Sequence, residues 1–529
     1  MSKSETDQTL ETAHRPAHAS SFHQPSRRTL LSGLGATMAL PLLEGYALGS
    51  QIDTIPESVS EAAQETDVST AAQTVATVTQ PIPTAVQTVA TATLTVQSAG
   101  GLPDYFLGLS YEKVTFVTES LFTAANTSLA GLLNRLGNGV LRLGGNSVDQ
   151  TLWTPDGPGN TSGQVSPVDV DNLAAFVALT NWKVLYGVNL GTSTPDLAAA
   201  EVAYVQSKLG DILIGFEIGN EPDEYSLTYY PTGWDLTAFE TLWQQFRSAI
   251  VAVTPSAIIA GPATGGHVTT WTVPFSQDTT GKLISLVTQH YYRGNGHSAN
   301  ATVKNLVSPD PNIIADCVAL KSAASALNIP FRITETNSYL YGGSPGVSNA
   351  FASALWVIDH LFNIALGGGS GVNMQGGDSS AYTPIANSGS TILKVRPEYY
   401  GLLLFSLAGQ GTLMPITLSA SGFRATIYAV LTTSGTLNII VNNKEVYQSL
   451  NITFDCGVTI KGADLFELRG TSLDATIDQT LQGGIVATNG SINLDTPYAP
   501  ASVSGSQVNF YVPAISAVLL QLKVFTKHG

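Results

Sequence analysis

The feature that most constrains the fold is an alternation of two patterns that begins near Asp104. Short runs rich in β-branched and other apolar residues are each followed by a longer segment in which apolar residues recur with helical spacing. The short runs predict eight strands, at Tyr105–Glu112, Val140–Asn146, Lys183–Leu190, Leu213–Pro222, Ile258–Gly265, Leu286–Tyr292, Pro330–Asn337 and Gly371–Gln375. The segments between them predict helices such as Leu121–Leu136, Leu197–Leu209, Ala238–Val253 and Val347–Leu366.

Eight strands that alternate with helices predict an α/β fold, a (β/α)8 TIM barrel, over residues 103–410. The structural alternative is a doubly wound open sheet. That fold usually carries a glycine-rich phosphate loop directly after a strand. The glycine cluster of this chain, Gly367–Gly371, precedes a strand instead, so the barrel is favoured.

After about Gly411 the helical pattern stops, and residues 411–529 are expected to form a β-sandwich. Strands separated by Gly, Asn and Ser turns are predicted at Arg424–Leu431, Thr436–Asn443, Leu450–Phe454 and Val508–Val524. Residues 85–102 contain a further strand, near Val86–Val96, that precedes the barrel. We expect it to join the sandwich.

The N-terminus carries the features of an export signal rather than of a folded element. Arg27-Arg28 precedes an apolar stretch that runs to about Leu43 and is short for a membrane span. This pattern predicts a twin-arginine signal over residues 1–49, with a chance basic pair before a signal anchor as the alternative. Residues 50–84, rich in Thr, Ala, Gln and Ser, are predicted to be a flexible spacer. The mature protein is therefore expected to be periplasmic or secreted, without an integral membrane segment.

Composition excludes some classes of function. Lys and Arg total 23 against 39 Asp and Glu, a net charge of −16, whereas a nucleic-acid-binding protein needs a basic surface. The same charge disfavours long polyanionic substrates. The two cysteines, Cys317 and Cys456, have no metal-ligand spacing, and two buried free thiols are favoured over a disulfide.

Polar residues concentrate at the ends of three predicted strands. Strand four ends in Glu217-Ile218-Gly219-Asn220-Glu221-Pro222, and strand seven contains Thr334-Glu335-Thr336-Asn337. Strand six ends in His290-Tyr291-Tyr292. Barrel active sites lie at the carboxyl ends of the strands, so these side chains should converge. Side-chain alternation places Glu217, Gly219 and Glu221 on one face of strand four, and Ile333 and Glu335 on one face of strand seven.

Two convergent carboxyl groups are what glycoside hydrolysis requires. One must be protonated to donate to the leaving oxygen, and the other must be ionised to attack the anomeric carbon. The sequence predicts Glu221 as the general acid/base and Glu335 as the nucleophile. Taken singly, each glutamate could equally be a cap or an ion-pair partner. Glu217 is a competing carboxylate, and we expect it to be a buried partner that tunes the site.

These motifs resemble glycoside hydrolase family 79, which includes bacterial β-glucuronidases and the animal heparanases. The resemblance is carried by Glu217–Pro222, by Glu335-Thr336-Asn337-Ser338-Tyr339-Leu340-Tyr341-Gly342-Gly343, and, in matching order, by Tyr111-Glu112, Leu141–Asn146 and Gln289–Tyr292. It covers roughly residues 85 to 525. The chain looks most similar to a bacterial secreted β-glucuronidase.

The resemblance implies roles for further residues. Asn220 would bond the 2-hydroxyl of the sugar, and Tyr292, favoured over Tyr291, would hold the nucleophile. Glu112 and Asn146 would bind hydroxyls of the terminal sugar. The amides of Gly342 and Gly343 and the hydroxyls of Tyr341 and Tyr382 would receive a uronate carboxylate. Successive amides in a glycine turn can form a small anion-binding concavity, which gives this assignment physical sense.

The expected activity is retaining, exo-acting hydrolysis of terminal β-linked glucuronic acid, with a carbohydrate as the partner. The alternatives are a retaining glycosidase for a neutral sugar, an endo-acting heparanase-like enzyme, and a carbohydrate-binding protein on a barrel that has lost activity. The absence of basic clusters disfavours cleavage within a sulfated polymer. No metal or organic cofactor is expected, because the histidines lack ligand spacing.

Overall fold

The eight predicted strands form a closed parallel barrel in which neighbours around the ring follow chain order. The structure is a computed structural model that describes residues 86–95, 97–278, 281–420, 422–494 and 501–524. Barrel strands one to eight are Gly108–Glu112, Gly139–Gly144, Trp182–Val188, Leu213–Ile218, Ile259–Thr264, Leu286–Tyr292, Phe331–Asn337 and Val372–Gly376. The predicted fold, a (β/α)8 barrel with a sandwich domain, is confirmed. The predicted export signal (1–49) and spacer (50–84) lie outside the described residues.

Helices surround the barrel, and several begin at a capping residue that the sequence places there. Asn126 and Asp235 each accept a hydrogen bond from the amide three residues ahead. Ser166 and Asp169 form a reciprocal capping box at the start of the helix that begins at Pro167. Because of the Asn126 cap, the second helix begins at Thr127 and not at Leu121 as predicted. The α-helices are Lys113–Thr118, Thr127–Arg135, Pro167–Val177, Pro195–Leu209, Leu236–Val253, Val273–Gln277, Val303–Leu306, Pro311–Leu327, Phe351–Leu366 and Pro397–Leu407.

The interior of the barrel changes character along its axis. At the amino end of the strands, Val140, Leu185, Ala260 and Leu286 form a small apolar cluster. Two residues further along strand two, Arg142 is buried and donates hydrogen bonds to two carboxylates. The apolar end closes the barrel and leaves the carboxyl end for polar chemistry.

Two sheets pack face to face beside the barrel, and the strand before the barrel belongs to one of them. The five-stranded sheet contains Ile416–Leu418, Val86–Leu94, Gln448–Asp455, Gln507–Val512 and Ser502–Ser504. The seven-stranded sheet contains Gly100–Leu102, Gly411–Met414, Ala425–Thr432, Thr436–Asn443, Ser516–Val524, Ile460–Arg469 and Thr480–Leu481. Apolar side chains from both sheets form a shared core.

The prediction of one strand over Val508–Val524 is wrong. The segment forms two strands in different sheets, because Pro513 cannot donate to a ladder and Ile515 adopts a left-handed conformation with φ of 50°. The strand Ile460–Arg469 was not predicted.

A polar cluster joins the sandwich to the barrel at Asp359, in the helix Phe351–Leu366. Its carboxylate accepts hydrogen bonds from Thr426, Tyr428 and Asn442, and it pairs with Lys444. These contacts fix the seven-stranded sheet against the helix that follows strand seven. In the described part of the chain, no helix combines the length and apolar character needed to cross a membrane.

Candidate active site

A cavity of about 670 Å³ opens at the carboxyl ends of the barrel strands. Every predicted site residue except Gly343 lines it: Glu112, Asn146, Asn220, Glu221, Tyr292, Glu335, Tyr341, Gly342 and Tyr382. The fold therefore brings together residues that are spread over 271 positions of the chain, from Glu112 to Tyr382 counted inclusively.

Arg142, which is buried beneath this cavity, is the centre of its polar network. Its guanidinium donates to Glu217 at 2.6 Å, to Glu335 at 2.8 Å and to Asn220 at 2.9 Å. The same group lies 3.0 Å from Nε2 of His290. Glu217 is fully buried and does not line the cavity, a position that suits the predicted role of a tuning partner. One cation thus ties strands two, four, six and seven together, and its burial is compensated by two carboxylates.

Glu335 projects from strand seven and accepts hydrogen bonds through both of its oxygens. Arg142 donates to Oε2, and the hydroxyl of Tyr292 donates to Oε1 at 2.8 Å. The alternation argument for this strand is wrong, because its register shifts between Ile333 and Thr336 relative to strand eight. An extra residue in one strand breaks the regular alternation of faces.

The two tyrosines of strand six have different partners. Tyr292 bonds Glu335, whereas the hydroxyl of Tyr291 donates to Asp310 at 2.7 Å, outside the cavity. The structure therefore places Tyr292 against the predicted nucleophile.

Glu221 reaches the cavity by a route that strand alternation does not describe. Strand four ends at Ile218, and the chain then passes through two left-handed positions, with φ of 89° at Gly219 and 49° at Glu221. The prediction that the strand extends to Pro222 is wrong for this reason. The amide of Glu221 donates to the carbonyl of Ala263 at 2.9 Å, which fixes the turn to strand five. A left-handed non-glycine residue is strained and is typical of functional sites.

The surroundings of Glu221 favour its protonated form. Burial raises the pKa of this carboxyl to about 7, and the negative charge of Asp223 adds to the increase. Arg142 acts in the opposite direction but with less effect than burial. A carboxyl group with this pKa can serve as a general acid near neutral pH.

The hydrogen bonds of His290 define its tautomer. Arginine can only donate, so Nε2 of His290 must accept from Arg142. The proton of the neutral ring is then on Nδ1, which donates to Oε1 of Glu221 at 2.9 Å. Burial lowers the pKa of His290 to about 4, in keeping with a neutral ring. His290 thereby links the cation beneath Glu335 to the carboxyl group of Glu221.

The two candidate catalytic carboxyl groups face each other at short range. One oxygen of Glu221 and one of Glu335 lie within 4.8 Å. Retaining glycosidases need a carboxyl separation of about 5–5.5 Å, and inverting enzymes need about 6.5–9.5 Å to admit a water molecule. An oxygen pair this close favours the shorter of these two separations.

The residues expected to bind sugar hydroxyls line one part of the cavity. Asn220 donates to Asn146 at 3.2 Å. Glu112 accepts from the amide and the hydroxyl of Ser147, at 3.0 and 2.6 Å. Burial, followed by the negative charge of Glu335, raises the pKa of Glu112 to about 7. Glu112 is therefore a second carboxyl group in the cavity that titrates near neutral pH.

The turn expected to receive a carboxylate is only partly available to a ligand. Tyr341 and Gly342 line the cavity in left-handed conformations, with φ of 61° and 78°. The hydroxyl-bearing ring of Tyr382 lies beside Tyr292, with 6.3 Å between ring centroids. Gly343 is the exception and corrects the prediction, because it is buried and its amide donates to the carbonyl of Leu340.

Arg142 and Gln375 are the main residues that the sequence interpretation did not assign to the site. Gln375 lines the cavity at the end of strand eight, and its Oε1 is buried without a hydrogen-bond partner among the described residues. Its position, the last residue of a predicted barrel strand, is a signal that could have identified it. Arg142 lies within strand two, where sequence gives no sign of its distant partners.

Two groups of described residues bring three possible metal ligands within 4.8 Å: Glu221, His290 and Glu335, and Asp223, Glu224 and His267. In the first group, His290 already donates to Glu221, and Arg142 already neutralises Glu335. A further cation there would be repelled by Arg142. In the second group, the Asp223 carboxylate is already bonded by backbone amides. That the protein needs no metal stays a prediction.

Comparison with known proteins confirms the predicted resemblance. No family model matches the chain. A β-glucuronidase from Aspergillus niger is 25% identical over 303 residues, which cover 49% of this chain and 55% of that protein. A β-glucuronidase from Neurospora crassa is 24% identical over 439 residues, 69% of this chain and 75% of that protein. Heparanase from Bos taurus is 28% identical over 223 residues, 38% of each chain.

The match to the Aspergillus protein spans about half of that relative's length. Among solved structures, a 4-O-α-L-rhamnosyl-β-D-glucuronidase from Fusarium oxysporum has a TM-score of 0.69 and 18% identity, covering 82% of this chain and all of that one. At this identity the likeness shows the shared fold alone. The relatives are fungal and mammalian, so the expected similarity to a bacterial enzyme stays a prediction.

Proposed function

We propose that this chain is a retaining glycoside hydrolase that removes terminal β-linked glucuronic acid, an exo-acting β-glucuronidase. The observation that carries the proposal is the pair formed by Glu221 and Glu335, with oxygens within 4.8 Å in one cavity. Their neighbours differ in the way that the two roles require. Donors surround Glu335, and burial with a nearby acid raises the pKa of Glu221.

In the first step, the carboxylate of Glu335 attacks the anomeric carbon as the bond to the leaving oxygen breaks. Glu221 gives its proton to that oxygen, and the product is a glycosyl ester on Glu335. In the second step, Glu221, now ionised, removes a proton from water while the water oxygen attacks the anomeric carbon. The sugar leaves with its original configuration, and Glu335 returns to the carboxylate form.

The uronate preference rests on the turn at Tyr341-Gly342 and on the names of the relatives. Both residues line the cavity with left-handed backbone, a conformation in which the amide of Gly342 could bind a carboxylate. Tyr382 supplies a hydroxyl from the loop after strand eight. Two relatives named β-glucuronidase support the same substrate class. The net charge of −16 favours release of a terminal sugar over cleavage within a polyanion.

We also propose that the chain is exported by the twin-arginine route, on the basis of Arg27-Arg28 and the apolar stretch that follows. Fusing residues 1–49 to a reporter in a bacterium with and without this pathway tests the proposal. Export that does not depend on the pathway, or on Arg27-Arg28, would contradict it.

The test of the activity is a comparison of aryl β-glycosides, with the first product followed by NMR. We expect aryl β-glucuronide to be hydrolysed much faster than aryl β-glucoside or β-xyloside, and β-glucuronic acid to appear before the α-anomer. Equal rates on glucoside and glucuronide would favour a neutral-sugar enzyme. Cleavage only within heparan sulfate would favour endo action, and an α-anomer as first product would exclude retention. Binding without turnover would favour a carbohydrate-binding protein.

A further inference from the structure

A buried aspartate lies two residues after the proposed acid and holds the neighbouring loop. The side chain of Asp223 is fully buried. It accepts hydrogen bonds from the amide of Gly265 at 2.8 Å, from the amide of Gly266 at 3.3 Å, and from Nδ1 of His267 at 2.8 Å. Three donors from the loop after strand five thus converge on one carboxylate from the loop after strand four.

The loop that Asp223 holds is the surface on which the Glu221 carboxyl group rests. A Cβ atom added to Gly265 would lie 3.0 Å from Cδ of Glu221, whereas one added to Gly266 would meet nothing within 4 Å. The chain therefore brings its backbone into direct contact with the acid at Gly265. Since the amide of Glu221 also bonds the carbonyl of Ala263, strand five contacts the backbone of Glu221 and the loop after it contacts the side chain.

The charged and titratable groups that face Glu221 come from several elements. The carboxylate of Glu335 in strand seven has one oxygen within 4.8 Å of an oxygen of Glu221, and Tyr292 of strand six also interacts with Glu221. Asp223 and Glu224 lie on its own loop and raise the pKa of Glu221, and Arg142 from strand two lowers it. Neutral His290 from strand six donates to its Oε1, and His267 lies on the far side of Asp223. Among the charged neighbours, Asp223 has the largest effect.

We propose that Asp223 is a positioning residue of the proposed hydrolysis, which fixes the Gly265-Gly266 turn against the carboxyl group of Glu221 and holds a buried negative charge two residues from it. This inference rests on the proposed function. Asp223 lies outside the cavity lining, so it is not placed to contact a substrate. It acts through Glu221 and through the turn.

The test compares Asp223→Asn with Glu224→Gln in the full chain, using pH profiles of kcat/KM on phenyl β-glucuronide. Its poor leaving group makes the first step depend on the acid. Asparagine keeps the size and one acceptor but removes the charge. We expect the basic limb of the profile to move to lower pH and kcat to fall by about tenfold at neutral pH, with a small change in KM. Glu224→Gln removes a neighbouring charge that does not fix the Gly265-Gly266 turn. The basic limb of its pH profile should therefore move less than that of Asp223→Asn. An unmoved limb in Asp223→Asn overturns the proposal, since lost packing alone would lower the rate without moving the limb.

A second pair of variants tests the position of the turn without altering charge. Gly265→Ala inserts a methyl group against the Glu221 carboxyl, and Gly266→Ala inserts one into open space. We expect a larger loss of kcat for Gly265→Ala than for Gly266→Ala. Equal losses would contradict the role of the turn, including in the case where Asp223→Asn does not fold.

Failure of this inference can be separated from failure of the proposed function. If the natural protein hydrolyses no glycoside, the proposed activity is wrong. The effect of Asp223 on Glu221 is then tested by NMR titration of 13C-labelled glutamate carboxyl groups, with the Glu221 signal assigned from Glu221→Gln. A Glu221 titration that is identical in Asp223→Asn and the natural protein overturns the inference.

Discussion

The two sides of the cavity surround their glutamates with opposite kinds of neighbours, donors at Glu335 and negative charges near Glu221. Glu335 and Glu221 are both largely buried, with side chains 9% and 18% exposed. On one side, Arg142 and Tyr292 each donate to an oxygen of Glu335. On the other side, Glu221 receives one hydrogen bond from a neutral His290 and lies near Asp223 and Glu224. Since exposure is similar, the neighbouring groups separate the two roles.

The two sides are nevertheless built from one network. Arg142 bonds Glu335 directly, whereas its hydrogen-bond connection to Glu221 passes through His290. The charge of Arg142 lowers the pKa of Glu221, but burial and the charge of Asp223 raise it by more. Glu221 is thereby oriented by the same cation that neutralises Glu335 while keeping an elevated pKa. Breaking either side should therefore give distinct kinetic results.

The largest effect is expected from Glu335→Gln. The amide keeps the shape of the side chain but cannot attack the anomeric carbon, so kcat/KM on aryl β-glucuronides should fall by at least about 10⁴-fold. The loss should be similar for good and poor leaving groups, because both need the nucleophile. Glu217→Gln is a control in a carboxylate that also bonds Arg142 but does not line the cavity. Retention of most activity in Glu335→Gln would disprove the assignment.

Glu221→Gln should have a smaller effect that depends on the substrate. Loss of acid catalysis should lower the rate of the first step by about 10² to 10⁴-fold for phenyl β-glucuronide, and much less for a dinitrophenyl glycoside that needs no proton. Azide should restore turnover of the activated substrate in Glu221→Ala and yield the β-glycosyl azide. An equal loss on both substrates, or an α-azide, would mean that the two sides of the cavity have been assigned in reverse.

The sequence alone identified Glu221 and Glu335 as the two carboxyl groups. It did not predict the groups that surround them. All eight barrel strands were found, because each is a short apolar run followed by a helical pattern. Glu221 was identified by its place at a strand end, yet the alternation argument fails there, since Gly219 and Glu221 leave the strand geometry. Similarly, an extra residue in strand seven breaks the alternation between Ile333 and Glu335.

What sequence could not supply are contacts between distant positions. Arg142 lies 75 residues from Glu217 and 193 residues from Glu335, and an arginine within a strand is as consistent with an exposed edge as with a barrel interior. Gly343 shows the converse limit. Its motif suggests a backbone amide that is free to bind a ligand. Only the folded structure shows that this amide donates to the carbonyl of Leu340.

Tyr292→Phe tests the Glu335 side of the cavity and leaves the hydrogen bond between His290 and Glu221 in place. It removes one of the two donors to Glu335 without changing charge, and we expect kcat/KM to fall by about 10²-fold, as for loss of a single electrostatic donor. Tyr291→Phe is the matched control, because the adjacent hydroxyl bonds Asp310 outside the cavity. The basic limb of the pH profile should stay in place in Tyr292→Phe. If kcat/KM falls further in Tyr291→Phe than in Tyr292→Phe, the loss reflects the packing of strand six and not the hydrogen bond to Glu335.

The smallest expected effect is the dependence of the natural protein on pH, and it tests the Glu221 side. The pKa of Glu221 is raised to about 7, so the acid is protonated below this pH and is lost as the pH rises through it. Hydrolysis of phenyl β-glucuronide should therefore decline above about pH 7, by about tenfold per pH unit. Glu112, whose pKa is also raised to about 7, could produce a limb in the same range. The limb should disappear in Glu221→Gln, which leaves Glu112 intact. If the limb persists there, Glu112 is the group that titrates, and the contrast between the two proposed catalytic glutamates does not set the pH dependence.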